Sequence, residues 1–159
     1  MRAAVKVADD LMSGDGFDVQ RFVDAQDRGG AYDRALAELR QGRKRGHWIW
    51  FVFPQIAGLG TSEMSRRYAI ASLEEASAYL AHPLLGPRLV ECAEALLELP
   101  GRDPVAVLGG IDALKLRSSM TLFAHADRAA PVLAEVLTRY YDGITDQATE
   151  QRLGGAYGD

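Results

Sequence analysis

Lys44-Arg45-Gly46-His47, preceded by Arg43, runs directly into a desolvated segment that contains Trp48 and Trp50. Cations beside buried indoles can hold a phosphate or carboxylate that is attached to a planar ring. The same residues also suit a solvated basic loop leading into a core element. Downstream, Gly58-Leu59-Gly60-Thr61-Ser62 opens a helical pattern that carries Ser65. Flexible glycines ahead of helical N–H groups form a cradle for anions, and Thr61, Ser62 and Ser65 add hydroxyls. This match is short: it lacks the full dinucleotide-binding pattern and the Lys-Ser/Thr of a phosphate-binding loop, so a capped turn fits as well. A third group lies on Asp112–Phe123. At about 100° per residue, Ala113, Leu116, Met120 and Phe123 share one narrow apolar arc. Asp112, Lys115 and Ser119 border that arc, with Ser118 a little further round, as a satisfied internal network or the wall of a site would.

Two carboxylates are placed for acid/base work: Asp112, and Glu38 at the edge of an apolar stripe. Either also reads as an ordinary surface carboxylate, and Asp112 with Lys115 as a surface pair three residues apart. Cys92 shares a helix face with Leu85, Leu89, Leu96 and Leu99, which places it in the core, away from the positive, accessible surroundings a reactive thiolate needs. His47, His82 and His125 are scattered without ligand spacing, so no metal site is expected. No Ser/His/Asp order or nucleophile elbow occurs, and nothing calls for a cofactor.

The elements that must position these groups are helical. With 159 residues, 48% hydrophobic and 25% charged, the chain is long enough for one self-sufficient core. Residues 1–16, ending in Ser-Gly-Asp-Gly, read as a leader outside a single helical domain over 17–159. Helices are expected from Asp18 to about Arg28, over Ala31–Gln41, from Thr61 or Ser62 to about Ala71, and from the capping box at Ser72 to about His82. Others follow over Pro83–Leu99, after Asp103-Pro104, over Asp112–Ala124 and Pro131–Asp142, and from Thr145 to Leu153. The run His47–Phe53 is apolar throughout. Strand rules favour it as a strand, yet no partner strand is evident, so a short buried helix is expected. The fold class is therefore mainly α, a single compact multi-helix globular domain with little or no sheet.

The net charge of −4 disfavours nucleic acid and anionic membranes as partners. A single cysteine and the absence of a long apolar run point to a cytoplasmic chain, and a monomer is favoured.

The runs FDVQRFVDAQ, YDRALAELRQGRKRGHWIWFVFPQIAGLGTSEMSRRYAI, HPLLGPRL and DALKLRSSMTLF resemble the bacterial domain-of-unknown-function family numbered 1810, over about residues 17–153. Members sometimes carry the label calpastatin, the name of a disordered inhibitor. A composition with a long aromatic core segment contradicts that label. The resemblance implies a mainly helical fold and supports helix over strand for His47–Phe53, but supplies no activity. The expectation is a pocket for a phosphorylated or nucleotide-like molecule, walled by Tyr32, Lys44, His47, Trp48, Trp50, Ser62, Ser65, Tyr68 and the Lys115–Ser118–Ser119 face. In it Lys44 and Lys115 hold anionic groups, and Glu38 or Asp112 is the acid/base candidate. Two alternatives stay open: an enzyme cleaving ADP-ribose-type N-glycosidic bonds, by distant analogy, and a non-enzymatic protein-interaction module.

Overall fold

The computed structural model describes residues 16–154, so all of the expected leader except Gly16 lies outside the described residues. Helix α1 (Gln20–Asp27) reaches α2 (Ala31–Gln41) through a 3₁₀ turn at Arg28–Gly30. Gly29 and Gly30 there take φ of 59° and 73°, angles at which a side chain would be strained. The apolar stripe of α2 buries Tyr32, Ala35, Leu36 and Leu39, as its spacing predicts.

The aromatic run does form helix, but only the single turn α3 (Ile49–Val52). So short a turn leaves one side facing outward: Trp48 is buried, while Trp50 is only partly so. Ser62 caps α4 (Glu63–Arg67), its hydroxyl accepting from the Ser65 amide. That helix ends earlier than expected because Tyr68 turns into the core and Ile70 pairs with Ile56 in an isolated parallel bridge. Ala57 N–H donates to Ile70 O, and Ile70 N–H to Gln55 O, each at 2.8 Å. Among the described residues this bridge is the whole of the extended pairing.

The remaining elements are α5 (Leu73–Ala81), capped by Ser72, α6 (Leu85–Glu98), α7 (Pro104–Leu108), capped by Asp103, α8 (Gly110–Ala124), α9 (Pro131–Tyr141) and α10 (Gln147–Gly154). The His82 ring accepts from the Leu84 and Leu85 amides and so caps α6 from outside.

Helix α8 is the axis of the molecule. It packs against α5, α7, α9, α10 and the α3 turn. The expected narrow arc understates its burial. Ser118, Ser119, Thr121 and Leu122 are buried together with Leu116, Met120 and Phe123, because helices surround its second half. The hydroxyls tolerate this by bonding back: Ser118 Oγ donates to Leu114 O at 3.1 Å and Thr121 Oγ1 to Arg117 O at 2.8 Å. From Phe123, ring contacts run through Tyr79 (5.0 Å between centroids), Phe22 (5.1 Å), Tyr68 (5.9 Å) and Phe51 (5.6 Å), tying the core to the 50–70 segment. Cys92 is fully buried, and burial pushes its thiol up to about 12, so it stays protonated and inert.

Gly86, in the first turn of α6, lies where a Cβ would overlap the Leu80 carbonyl of α5. Gly86→Ala is therefore expected to push α5 and α6 apart and destabilise the protein by about 1–3 kcal/mol, the usual cost of overpacking. Urea unfolding measures this; a midpoint equal to wild type would contradict the close approach.

Candidate functional site

Glu38 lies in the last turn of α2, and the chain then doubles back through Gly42 toward α3. One carboxylate oxygen governs that return. Glu38 Oε1 accepts from Arg45 N–H (2.8 Å), Gly46 N–H (3.0 Å) and the Trp48 indole N–H (2.8 Å). Burial pushes the Glu38 carboxyl up, but the two amides, the indole and the nearby Lys44 charge outweigh it and hold it below the usual carboxylate range. Lys44 is anchored in turn. Its Nζ lies 2.8 Å from Asp112 Oδ2, donates to Gly46 O and sits 5.1 Å from the Trp48 ring centroid. Side-chain exposures of 8% for Lys44 and 19% for Asp112 make this a largely buried ion pair. Glu38, Lys44, Trp48 and Asp112 thus form one network that seats the 43–48 loop on α8. Lys44 has its charge already matched, and Glu38 and Asp112 have oxygens already engaged.

One turn beyond Asp112, Lys115 Nζ lies 5.0 Å from the Trp50 ring centroid. Trp50 leads into a cavity of about 130 Å³, walled by Gln55, Ile56, Ala57, Gly58, Gly60, Ser65, Arg66, Tyr68 and Ala69 as well. The enclosure is almost entirely the work of one excursion: residues 55–58 and 68–69 face each other beside the Ile56–Ile70 bridge, and α4 closes the end. Gly60 has no room for a side chain, because a Cβ would overlap Ser65. The walls contain two aromatic rings, a hydroxyl and a guanidinium, and no carboxylate. Trp50 Nε1, a buried donor, has no hydrogen-bond partner, a condition that costs free energy unless an acceptor arrives.

The expected residues therefore separate. Trp50, Ser65 and Tyr68 come together at the cavity. Ser62 stands at its edge, donating to Ser65 Oγ at 2.9 Å, and Lys115 covers Trp50. Tyr32 lies elsewhere, between α2 and α6. Its hydroxyl donates to Glu91 Oε1 at 2.5 Å, and the Arg88 guanidinium stacks on its ring at 4.6 Å. His47 is exposed on the loop. Ser118 and Ser119 are inside the α8 packing, Ser119 Oγ being another buried atom with no partner. The anion cradle expected at the start of α4 is weakened by that helix having five residues, too few for a substantial dipole.

Sequence reasoning passed over Gln55, Arg66 and Arg152. Arg66 stands beside the flagged Ser65, whereas Gln55, five residues beyond Trp50, carries no charge or ring to single it out. Arg152 had no signal, because it reaches the cavity rim from 94 residues away to donate to Gly58 O at 3.1 Å.

The family model described as "Protein of unknown function (DUF1810)" matches residues 16–153. The chain belongs to that family. Among solved structures, the DUF1810 fold seen here is similar to the crystal structure of the conserved hypothetical protein Rv1873 from Mycobacterium tuberculosis. Identity is 52%, with 86% of this chain and 96% of that chain covered and a TM-score of 0.82. Nothing matches among curated proteins. Family membership accounts for the fold and leaves the chemistry to the site itself.

Because the Glu38 carboxyl is held below its ordinary value, its contribution to stability is full above about pH 5 and is lost as pH falls through the ordinary carboxylate range to the depressed value. Glu38→Gln should therefore lower the urea midpoint at pH 7, and the gap to wild type should shrink on acidification to about pH 3. A gap that is the same at both pH values would show that the carboxylate charge is not what the loop uses.

Proposed function

We propose that the cavity beside Trp50 binds a small molecule carrying a planar ring and an anionic group, of the phosphorylated or nucleotide-like class. The observation that carries this reading is the composition of the walls: indole, phenol, hydroxyl and guanidinium converge there and no carboxylate does. Around it, Arg66, Lys115 and Arg152 form no ion pair among the described residues. Such unmatched cations in a chain of net charge −4 favour an anion.

Size narrows the class. Pockets that enclose a whole small-molecule ligand run to about 300–1,000 Å³, whereas an apolar cavity of about 150 Å³ accepts benzene. At about 130 Å³, this one suits a single ring, with the remainder of the ligand outside the rim. Trp50 supplies an apolar surface for that ring.

Binding without an assigned reaction is the preferred reading. N-glycosidic cleavage calls for a carboxylate facing the sugar, and Glu38 and Asp112 hold the loop rather than line the cavity. An interaction module is favoured by one observation, the exposure of Val105, Ile111, Leu114 and Ile144. Single exposed apolar residues are common, however, and weigh less than a furnished cavity.

A thermal-shift series with inorganic phosphate, sugar phosphates and nucleoside monophosphates tests the proposal. A ligand at about a hundredfold over its Kd should raise Tm by roughly 5–10 °C for a domain of this size. Trp50→Ala and Arg66→Ala should each weaken that ligand at least tenfold, about 1.4 kcal/mol. No shift with any of the three classes, or undiminished binding by both variants, would overturn it.

A further inference from the structure

We propose that Arg66 and Arg152 form a two-sided clamp for the anionic group of the ligand, across the Gly58–Thr61 turn at the cavity rim; this rests on the cavity being a ligand site. The two guanidiniums come from unrelated parts of the chain and are held the same way. Arg66, in the last turn of α4, donates to Thr61 O, and Arg152, in α10, donates to Gly58 O. Their acceptors are three residues apart on one turn, at most roughly 10 Å even if fully extended. Arg66 and Gly58 both line the cavity.

Each arginine rests on a neutral carbonyl, and neither has a carboxylate within ion-pair distance among the described residues. Glu74 borders the neighbouring groove with Arg152 yet makes no such pair. A guanidinium gains by exchanging a neutral acceptor for a phosphate, since charge-assisted bonds are roughly twice as strong and form in pairs along its planar edge. Two like charges gathered at one rim also repel each other, a cost that a shared anion removes.

Gly58 is shaped to this arrangement. Its φ is +96°, and a Cβ there would overlap the guanidinium of Arg152. Without a side chain at Gly58, the Arg152 guanidinium has room against the turn at the rim. The division of labour follows: the cavity takes the ring, and the two arginines take the charge beyond its edge.

Isothermal titration of the full chain with a pyrimidine nucleoside 5′-monophosphate and with the same nucleoside lacking phosphate tests the clamp. Arg152→Gln removes the charge while keeping a polar side chain at that position. It should weaken the monophosphate at least tenfold and leave the unphosphorylated nucleoside within twofold of wild type. Arg152→Lys should recover part of the loss. Equal weakening of both ligands would assign Arg152 a purely structural role, and unchanged monophosphate affinity would remove it from the site; either result overturns the clamp while the cavity reading stands. Wild type binding neither probe overturns the clamp, and if inorganic phosphate and sugar phosphates also fail to bind, the cavity reading falls with it.

Discussion

A single carboxylate oxygen, Glu38 Oε1, sets the geometry on which the site depends. It satisfies two loop amides and the buried Trp48 indole at once; the indole alone, buried without a partner, would cost about 1–3 kcal/mol. With that oxygen in place the chain enters the aromatic run in one orientation, and the short α3 turn delivers Trp50 to the cavity. The Lys44–Asp112 pair acts alongside it. A buried ion pair contributes little net stability, because desolvating both charges offsets their attraction. It does, however, fix which face of α8 meets the loop, and Lys115, one turn on, then lies over Trp50.

The consequence is a separation of two kinds of charged group. Lys44 and Asp112 satisfy each other, Glu38 is met by two loop amides and the Trp48 indole, and together they hold the scaffold. Arg66, Lys115 and Arg152 surround the cavity without acidic partners among the described residues. In the proposed function, preorganised positive groups beside a small aromatic-walled space would discriminate by charge and by ring size, since the scaffold has already met the cost of placing them. A chain of packed rings, from Phe123 through Tyr79 and Phe22 to Tyr68, backs the cavity wall.

Much of the helical frame was legible because it is local. The stripe on Ala31–Gln41 gave that helix with its bounds, and Ser62, Ser72 and Asp103 cap where their spacing places them. Cys92 sits in the core with the leucines that share its face. What escaped was tertiary. The arc read on α8 was too narrow because periodicity reports one partner, whereas five elements pack around this helix. Glu38 read as a candidate base or a surface carboxylate because its acceptor role is decided by an indole ten residues later, across a loop. Trp50, Ser65 and Tyr68 could be grouped from sequence since one excursion of chain carries them; Arg152 could not, since it meets Gly58 only through the docking of the last helix.

The two indole N–H groups offer the most direct measurement of the central claim, that the cavity beside Trp50 is where the ligand binds. In a ¹⁵N-correlated NMR spectrum each tryptophan side chain gives its own Nε1–H signal. Titration with a nucleoside monophosphate should move the Trp50 signal saturably, as its unpartnered donor gains an acceptor or a stacked ring, while the Trp48 signal, held by Glu38, stays in place. A saturable titration in which Trp48 moves and Trp50 does not, or in which neither moves, would contradict the account.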